Sequence, residues 1–531
     1  MSVNVTGAGA AHDGLGAREA SKWAVFFAVL LGALMGAIDA SIVNVALAHI
    51  QATYGVTTDE VAWVVTSYLI TLVIVMPLTA WLSSVLGRRR FYLLSVALFT
   101  VASGLCGVSR TLGQLIAFRT LQGLGGGAVR PIAQAIMRET FPPEEQAQAM
   151  GLFGMIVLLG PAIGPTLGGW LTDNYSWPWI FFINLPVGAA ALLLGARFIH
   201  DPPYLRARPP ERIDGMGIGL LAVGLASFQT FLEEGERDGW FQSTFISVLA
   251  VVAAVSLAGF VLWELRTDVP AVNLRILKDR SFSGALLITS IMGVVLFGVL
   301  IMLPLFLQTM LGYDTTQSGI ALMPRALTMV LMMPVAGALY NRLGVHVMVP
   351  TGLLMGALAG FLMGRFTLDT GPVEILIPQV IQGFGFAFLW VPLATAALAT
   401  IPRPLMQSAT GLYNLIWQLG GSIGTALVIT LFDRRLTTAS AHLVQYASPY
   451  NPTFMRWWQT FEAGFMARGI DTSTAHRQAL AVLHALISQQ AGVIAYEYVF
   501  TLMGAGMLLC LPLVLLLRTR TRTAGETLPA E

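Results

Sequence analysis

Leu121-Gln122-Gly123-Leu124-Gly125 and Ile381-Gln382-Gly383-Phe384-Gly385 are one phrase written twice, about 260 positions apart. A second pair keeps nearly the same spacing. Ala80-Trp81-Leu82-Ser83-Ser84-Val85-Leu86-Gly87-Arg88-Arg89 lines up with Gly337-Ala338-Leu339-Tyr340-Asn341-Arg342-Leu343-Gly344-Val345-His346. Two matches sharing an offset point to a unit of about half the chain, repeated in one orientation, an organisation that transporter folds use.

The chain around these phrases is built for lipid. Of 531 residues, 56% are hydrophobic and 11% are charged, against about a quarter charged in soluble domains. With 30 basic residues against 28 acidic ones, no basic block tracks phosphates, so nucleic acid is not an expected partner. Cys106 and Cys510 both sit inside apolar runs and read as packing residues, not as a disulfide or zinc ligands. The first apolar run, Trp23 to Ala48, is too long for a cleaved signal peptide and reads as a retained span behind a short disordered tail.

A bilayer core about 30 Å thick takes about 20 apolar residues of helix. By that rule six spans fall near 23–48, 61–82, 91–109, 112–137, 147–171 and 178–199, and two more near 215–232 and 243–264. Six others follow near 282–309, 317–340, 345–366, 373–400, 405–432 and 492–517. The expected fold is all-α and polytopic: fourteen transmembrane helices, made of two six-helix repeats and an inserted pair. Its parts are an N-terminal tail 1–22, a first bundle 23–200, a linker 201–281 with the inserted pair, a second bundle 282–517 and a C-terminal tail 518–531. Residues 433–491 read as one long loop on the outer side.

Basic residues set the orientation, because short loops rich in them stay in the cytoplasm. Arg88 to Arg90, then Arg206, Arg208 and Arg212, then Arg266, Arg275, Lys278 and Arg280, and finally Arg518, Arg520 and Arg522 all fall on one side. The other side holds Arg110, Arg237 and the acidic cluster Glu233, Glu234, Glu236 and Asp238. Both termini are therefore expected in the cytoplasm.

The motifs resemble the major facilitator superfamily, and within it the fourteen-span drug:proton antiporters of the EmrB/QacA type. The resemblance is carried by Asp39-Ala40-Ser41-Ile42-Val43-Asn44-Val45-Ala46-Leu47, the loop Leu82 to Arg90, Arg119-Thr120-Leu121-Gln122-Gly123, and Gly160-Pro161-Ala162-Ile163-Gly164-Pro165-Thr166-Leu167-Gly168-Gly169. Trp179 to Pro186, Gly411 to Asn414 and Leu419 to Gly424 add to it. It implies proton-coupled efflux of small amphiphilic compounds by alternating access, with proton handling at Asp39, a coupling arginine at Arg119 and the proton gradient, with no cofactor, as energy source. It also implies a bacterial cytoplasmic membrane and, in a Gram-negative host, a periplasmic membrane-fusion adaptor leading to an outer-membrane channel. A substrate-specific exporter or importer of an anionic or neutral metabolite or lipid-like compound is the alternative.

The residues support parts of this independently. Asp39 and Arg119 are ionisable groups inside spans, a costly placement that marks function, and their depths of about 13 and 10 Å at 1.5 Å per residue let them meet. A proton switch and a static buried pair both fit that placement. Gly160, Gly164 and Gly168 form a stripe for close helix packing, and Pro161 and Pro165 bend the helix beside Gly169. A gate between the halves and ordinary tight packing are the two readings of that stripe. Arg130 contacts substrate or snorkels to the interface. With Arg325 and Arg119 it outweighs the acids Asp39 and Glu497, which favours an anionic or neutral amphiphile over a dication.

In the loop motif, Gly87, Arg88, Arg89 and Arg90 are followed in the second copy by Arg342 and Gly344, but Ser84 and Val85 replace the charges of a closing latch. Arg88 to Arg90 are then expected to hold anionic headgroups. Asn44, Gln122, Arg130, Gln382, Asn414 and Gln418 are candidates for a substrate cavity, or for helix-to-helix hydrogen bonds. Residues 433–491 read as an adaptor dock or as a passive lid. No zincin, nucleophile-elbow or phosphate-loop motif is present, so an enzyme and a nucleotide-driven pump are not expected, and no metal site is either.

Overall fold

The computed structural model describes residues 22–201, 214–268 and 270–518, and all regular structure among them is helical. The first half holds α1 (Gly7–Tyr54), α2 (Thr58–Leu86), α3 (Arg88–Gly107), α4 (Leu112–Thr140), α5 (Pro143–Asn174), the short α6 (Trp179–Phe182) and α7 (Asn184–Phe198). The inserted pair is α8 (Gly215–Glu234) and α9 (Thr244–Arg266). The second half holds α10 (Arg280–Thr309), α11 (Thr315–Leu343), α12 (Val345–Met363), α13 (Pro372–Ala399), α14 (Met406–Val444), α15 (Pro452–Met466) and α16 (Thr472–Leu509).

The repeat is visible in how helices begin and end. α2 and α11 are both 29 residues long, and both open on a capping box, Thr57 with Glu60 and Asp314 with Gln317. Each satisfies two orphan N–H groups at a helix start. Both close on a glycine in the left-handed region, Gly87 at φ 79° and Gly344 at φ 70°, a conformation that side chains with a Cβ avoid. α3 and α12 start on the next residue in each copy.

Twelve of the described helices are long and apolar enough to cross a bilayer. α4 and α5, at 29 and 32 residues, have the length but are not among the twelve. In α4, five glycines and the polar Arg119, Gln122, Arg130 and Gln134 dilute the apolar surface. Exposed Trp170, Tyr175 and Trp179 at one end of the first half, with exposed Trp23 and Trp263 at the other, form the two aromatic levels of a membrane protein.

The N-terminal tail expected at 1–22 falls, but for Lys22, on residues outside the described set. One expectation is corrected. Residues 433–491 are not one loop: α14 continues to Val444, α15 occupies Pro452–Met466, and α16 starts at Thr472. Apolarity stops where lipid stops, but helix propensity does not. Asp471 caps α16, and hydrogen bonds from Thr474 and Ser473 pull its carboxyl down to about 2. Arg206, Arg208, Arg212, Arg520 and Arg522 lie outside the described residues.

The hydrogen bonds between the halves gather at the end that carries Arg88 to Arg90, here termed the basic end. Asn341 donates to the Glu144 carbonyl (2.6 Å), Asn414 to Gln134 (2.7 Å) and Arg88 to Gln407 (3.2 Å), while Gln407 donates to Ser83. Glycines let the backbones meet there. A Cβ on Gly337 would lie 2.7 Å from the Ala147 carbonyl oxygen, one on Gly151 2.6 Å from that of Met333, and one on Gly411 2.6 Å from that of Met76. The inserted α8 bridges the same two halves nearer the opposite end. Thr66 of α2 donates to Glu234 (3.4 Å), and Gln229 donates to Ser422 of α14 (2.8 Å). Beyond α8, Glu236 shares a hydrogen bond with Asp433, which raises the Glu236 carboxyl above its ordinary range.

The basic end also corrects the latch reading. Arg88 is 2% exposed, paired with Glu139 and tied to Gln407 across the seam, so it closes this end and does not face headgroups. Glu139, at the far end of α4, supplies the acid that Ser84 lacks. Arg89 anchors on Asp201 (2.7 Å) and the Ala196 carbonyl, leaving Arg90 exposed. Gln407→Ala removes two seam hydrogen bonds and is expected to weaken closure by about 1–3 kcal/mol. With Cys106 and Cys510 replaced by alanine, maleimide labelling of Thr79→Cys, buried beside Gly411, should speed up about tenfold or more.

Candidate functional site

Asp39 and Arg119 meet in the interior of the first half. The Arg119 guanidinium donates to Asp39 at 2.6 Å, and the pair is 1% and 0% exposed. Such a pair survives burial only when its remaining hydrogen-bonding capacity is used, and here it is. Gln122, one turn beyond Arg119 on α4, donates to Asp39 (2.8 Å) and accepts from Arg119 (2.8 Å). Asn184, the first residue of α7, donates to the same carboxylate (3.1 Å) and to Ser103 of α3 (3.0 Å). Arg119 Nε donates to the Val64 carbonyl of α2 (3.0 Å), and its guanidinium lies 4.1 Å from the centre of the Tyr68 ring, a cation–π contact.

Five helices thus join in one hydrogen-bonded network around the Asp39 carboxylate, α4 and α7 directly and α2 and α3 through Arg119 and Asn184. Deleting one partner of a buried pair leaves an uncompensated charge, a loss of about 3–5 kcal/mol. Changing the charge of Asp39 therefore acts on α1, α2, α3, α4 and α7 together. Of these contacts the sequence reading paired Asp39 with Arg119 and offered Gln122 for the cavity. Tyr68, Ser103 and Asn184 were not singled out as site residues, although a polar asparagine between Ile183 and Leu185 was a signal.

The glycine stripe flanks this site. Gly160 packs against Ala37 and Ile38, Gly164 against Ser41 and Gly168 against Ile42, so the stripe seals α5 onto α1 on either side of Asp39. Ser41 donates to the Ile38 and Gly160 carbonyls (3.0 and 3.3 Å). The stripe lies within the first half, not between the halves. Gly169 has only Val45 near it, Pro165 is exposed, and the Pro161 side chain lies outside the described set. The glycines at the seam include Gly151, Gly154, Gly337 and Gly411. Gly344 and Arg342 stand at the basic end, with Arg342 exposed.

The other cavity candidates divide. Asn44 is exposed, and Arg130 and Gln418 are half-buried, none with a side-chain hydrogen bond among the described residues. Arg130 lies ten residues, about 15 Å of axis, from the last residue of α4, farther than its side chain reaches. Asn414 is spent on the seam, while Gln382 is 0% exposed and accepts from Arg325 at 3.4 Å. No cluster that could hold a metal ion occurs among the described residues.

Residues 29–425 match the profile of the Major Facilitator Superfamily. The chain is 32% identical over 483 residues to the multidrug export protein EmrB of Haemophilus influenzae, covering 91% of this chain and 92% of that one. It is 31% identical over 495 residues to the fatty acid resistance protein FarB of Neisseria gonorrhoeae, with 93% and 96% covered. Among solved structures it resembles the human organic anion transporter MFSD10 (TETRAN), with a TM-score of 0.62 at 16% identity, covering 93% of this chain and 99% of that one. That last likeness is one of fold.

Proposed function

The chain belongs to the major facilitator superfamily and is a transporter, not an enzyme, and from that premise we propose that it exports small amphiphilic compounds, in the multidrug manner, in exchange for protons. The observation that carries the reading is Asp39, a fully buried carboxylate whose one charged partner among the described residues is Arg119. Protonation removes its charge, frees Arg119 and rebalances five helices at once; deprotonation restores them. A carboxylate so placed can bias two conformations differently in its two protonation states, which is what coupling requires.

Alternating access then sets the two ends of the seam against each other. We take α4 and α5 to cross the membrane with the other twelve helices, and the basic end to face the cytoplasm of a bacterial cell with both termini. In that frame the structure is closed on the cytoplasmic side. α14 and α16, at 39 and 38 residues, span about 57–58 Å against a core about 30 Å thick, so both project outward. With α15, whose Trp457 stacks on Phe461 and whose Glu462 meets His476 at 3.2 Å, they form a stand suited to a periplasmic membrane-fusion adaptor and outer-membrane channel.

An anionic or neutral amphiphile is favoured over a dication by Arg130, a half-buried cation without an acidic partner among the described residues, and by the likeness to a fatty acid resistance protein. The test is reconstitution in vesicles with an imposed pH gradient, following uptake of amphiphiles and counterflow of protons. Gradient-dependent uptake with proton release is the expected result. Uptake indifferent to the gradient would overturn the coupling, and strong export of divalent cationic dyes indifferent to Arg130→Ala would overturn the charge preference.

A further inference from the structure

Among the described residues three arginines in the bundle are buried to 5% exposure or less: Arg88, Arg119 and Arg325. The first two have a carboxylate, Glu139 and Asp39. Among the described residues Arg325 has none, and its one polar side-chain contact there is the Gln382 carbonyl oxygen at 3.4 Å. One turn earlier on α13, and so on the same face, Gln379 is 0% exposed with both its oxygen and its nitrogen unpartnered, and the Gln382 amide nitrogen is unpartnered too. A buried guanidinium without a counter-charge and a buried amide without partners are each unfavourable. Here they occur together.

The repeat explains what is missing. Arg325 stands ten positions into α11, as Tyr68 stands ten into α2; Gln379 and Gln382 stand seven and ten into α13, as Arg119 and Gln122 stand in α4. The second half thus rebuilds the polar part of the Asp39 site with the cation moved from one helix to the other. α10 packs on Gly420 and Gly424 of α14 through Ser290 and Val294 as α1 packs on Gly160 and Gly164 of α5 through Ala37 and Ser41. That puts Met292 at the place of Asp39, and no acid occurs between Arg280 and Thr309. The first half carries its own acid and the second does not.

We propose that Arg325, Gln379 and Gln382 form a binding site for an anionic group, namely the carboxylate head of an amphiphilic substrate, so that the ligand supplies the acid which the repeat lacks. The chemistry matches: a guanidinium takes a carboxylate through two parallel N–H donors, and the two amide nitrogens are the further donors two oxygens can accept. This site rests on the export reading above for its access and deepens it by naming the head group.

The test is equilibrium binding to the full-length chain in lipid nanodiscs, in chloride-free isethionate buffer, with dodecanoate and the uncharged dodecanamide as probes. Arg325→Gln should weaken dodecanoate about tenfold to a hundredfold, the value of one charge-assisted contact, and leave dodecanamide within about twofold. Arg325→Lys should restore part of the loss, and Gln379→Leu should give a smaller one. Equal loss of both probes, or no loss, overturns the proposal. So does a thermal stabilisation by chloride that needs Arg325 while dodecanoate binding does not, since the occupant is then a free halide. Gradient-driven transport of dodecanamide in vesicles is read separately. If it is absent while dodecanoate binding still depends on Arg325, the export reading falls and the site stands.

Discussion

Asp39→Asn is expected to leave a folded, substrate-binding protein whose export no longer responds to a pH gradient, with gradient-driven flux down about a hundredfold or more. The asparagine keeps the shape of the carboxylic acid, and its one oxygen can accept either from Arg119 or from Gln122 and Asn184, so part of the convergence of α1, α4 and α7 is retained. It cannot lose a proton, and the two conformations lose the difference in charge that set them apart. Asp39→Ala should behave differently. It strips both oxygens from Arg119, Gln122 and Asn184, leaves a buried guanidinium unpaired and is expected to cost about 3–5 kcal/mol in stability. The pair of variants separates a proton switch from a static ion pair: a static pair predicts that Asp39→Asn transports normally. Full gradient-driven transport by Asp39→Asn would therefore remove Asp39 from the mechanism. Arg119→Lys should keep some coupling, because the charge remains, but lose the fork that reaches Asp39, Gln122 and Val64 together.

How much of this was legible follows from which physical signal each residue sends. Asp39 and Arg119 announce themselves because a charge in an apolar run is costly and few are present, and their depths alone bring them together. The repeat is legible because Gly87 and Gly344 must both be glycine for the turn each helix makes. The seam is less legible. Gly151, Gly337 and Gly411 look like any small residue in a membrane helix, and only tertiary contact shows that they face another half while Gly160, Gly164 and Gly168 face α1. Arg88 reads as a headgroup ligand because its acid, Glu139, is 51 positions away. The helical stand at 433–491 was misread for a different reason: apolarity reports on lipid and not on helicity, and it ends before α14 does.

The second large effect is expected at the seam. Gly337→Val should shift the protein from a conformation closed at the basic end to one open there. At Gly337 the obstacle is backbone, with the Ala147 oxygen 2.7 Å and the Gln148 Cα 2.8 Å from a Cβ at that position, so no rotamer change relieves the overlap. Relief comes only by moving α11 away from α5. Overpacking of this kind costs about 1–3 kcal/mol. It is charged to the closed conformation alone, because in the open one the two helices have parted. A difference of about 3 kcal/mol changes the ratio of the two conformations by about a hundredfold. Spin labels on Leu86→Cys and Leu343→Cys, both exposed at the basic end of different halves, with Cys106 and Cys510 replaced by alanine, report that ratio as a distance distribution. The long-distance population should become dominant, and gradient-driven export should fall although the Asp39 site is untouched. Gly411→Val meets the Met76 carbonyl at 2.6 Å on the other seam contact and should produce the same shift. Gly113→Ala, where nothing lies within 4 Å of the new Cβ, should leave the distribution unchanged. If Gly337→Val and Gly411→Val both keep the short distance of the parent, the basic-end seam is no gate, and alternation must run through the bridge that α8 makes between Thr66 and Ser422.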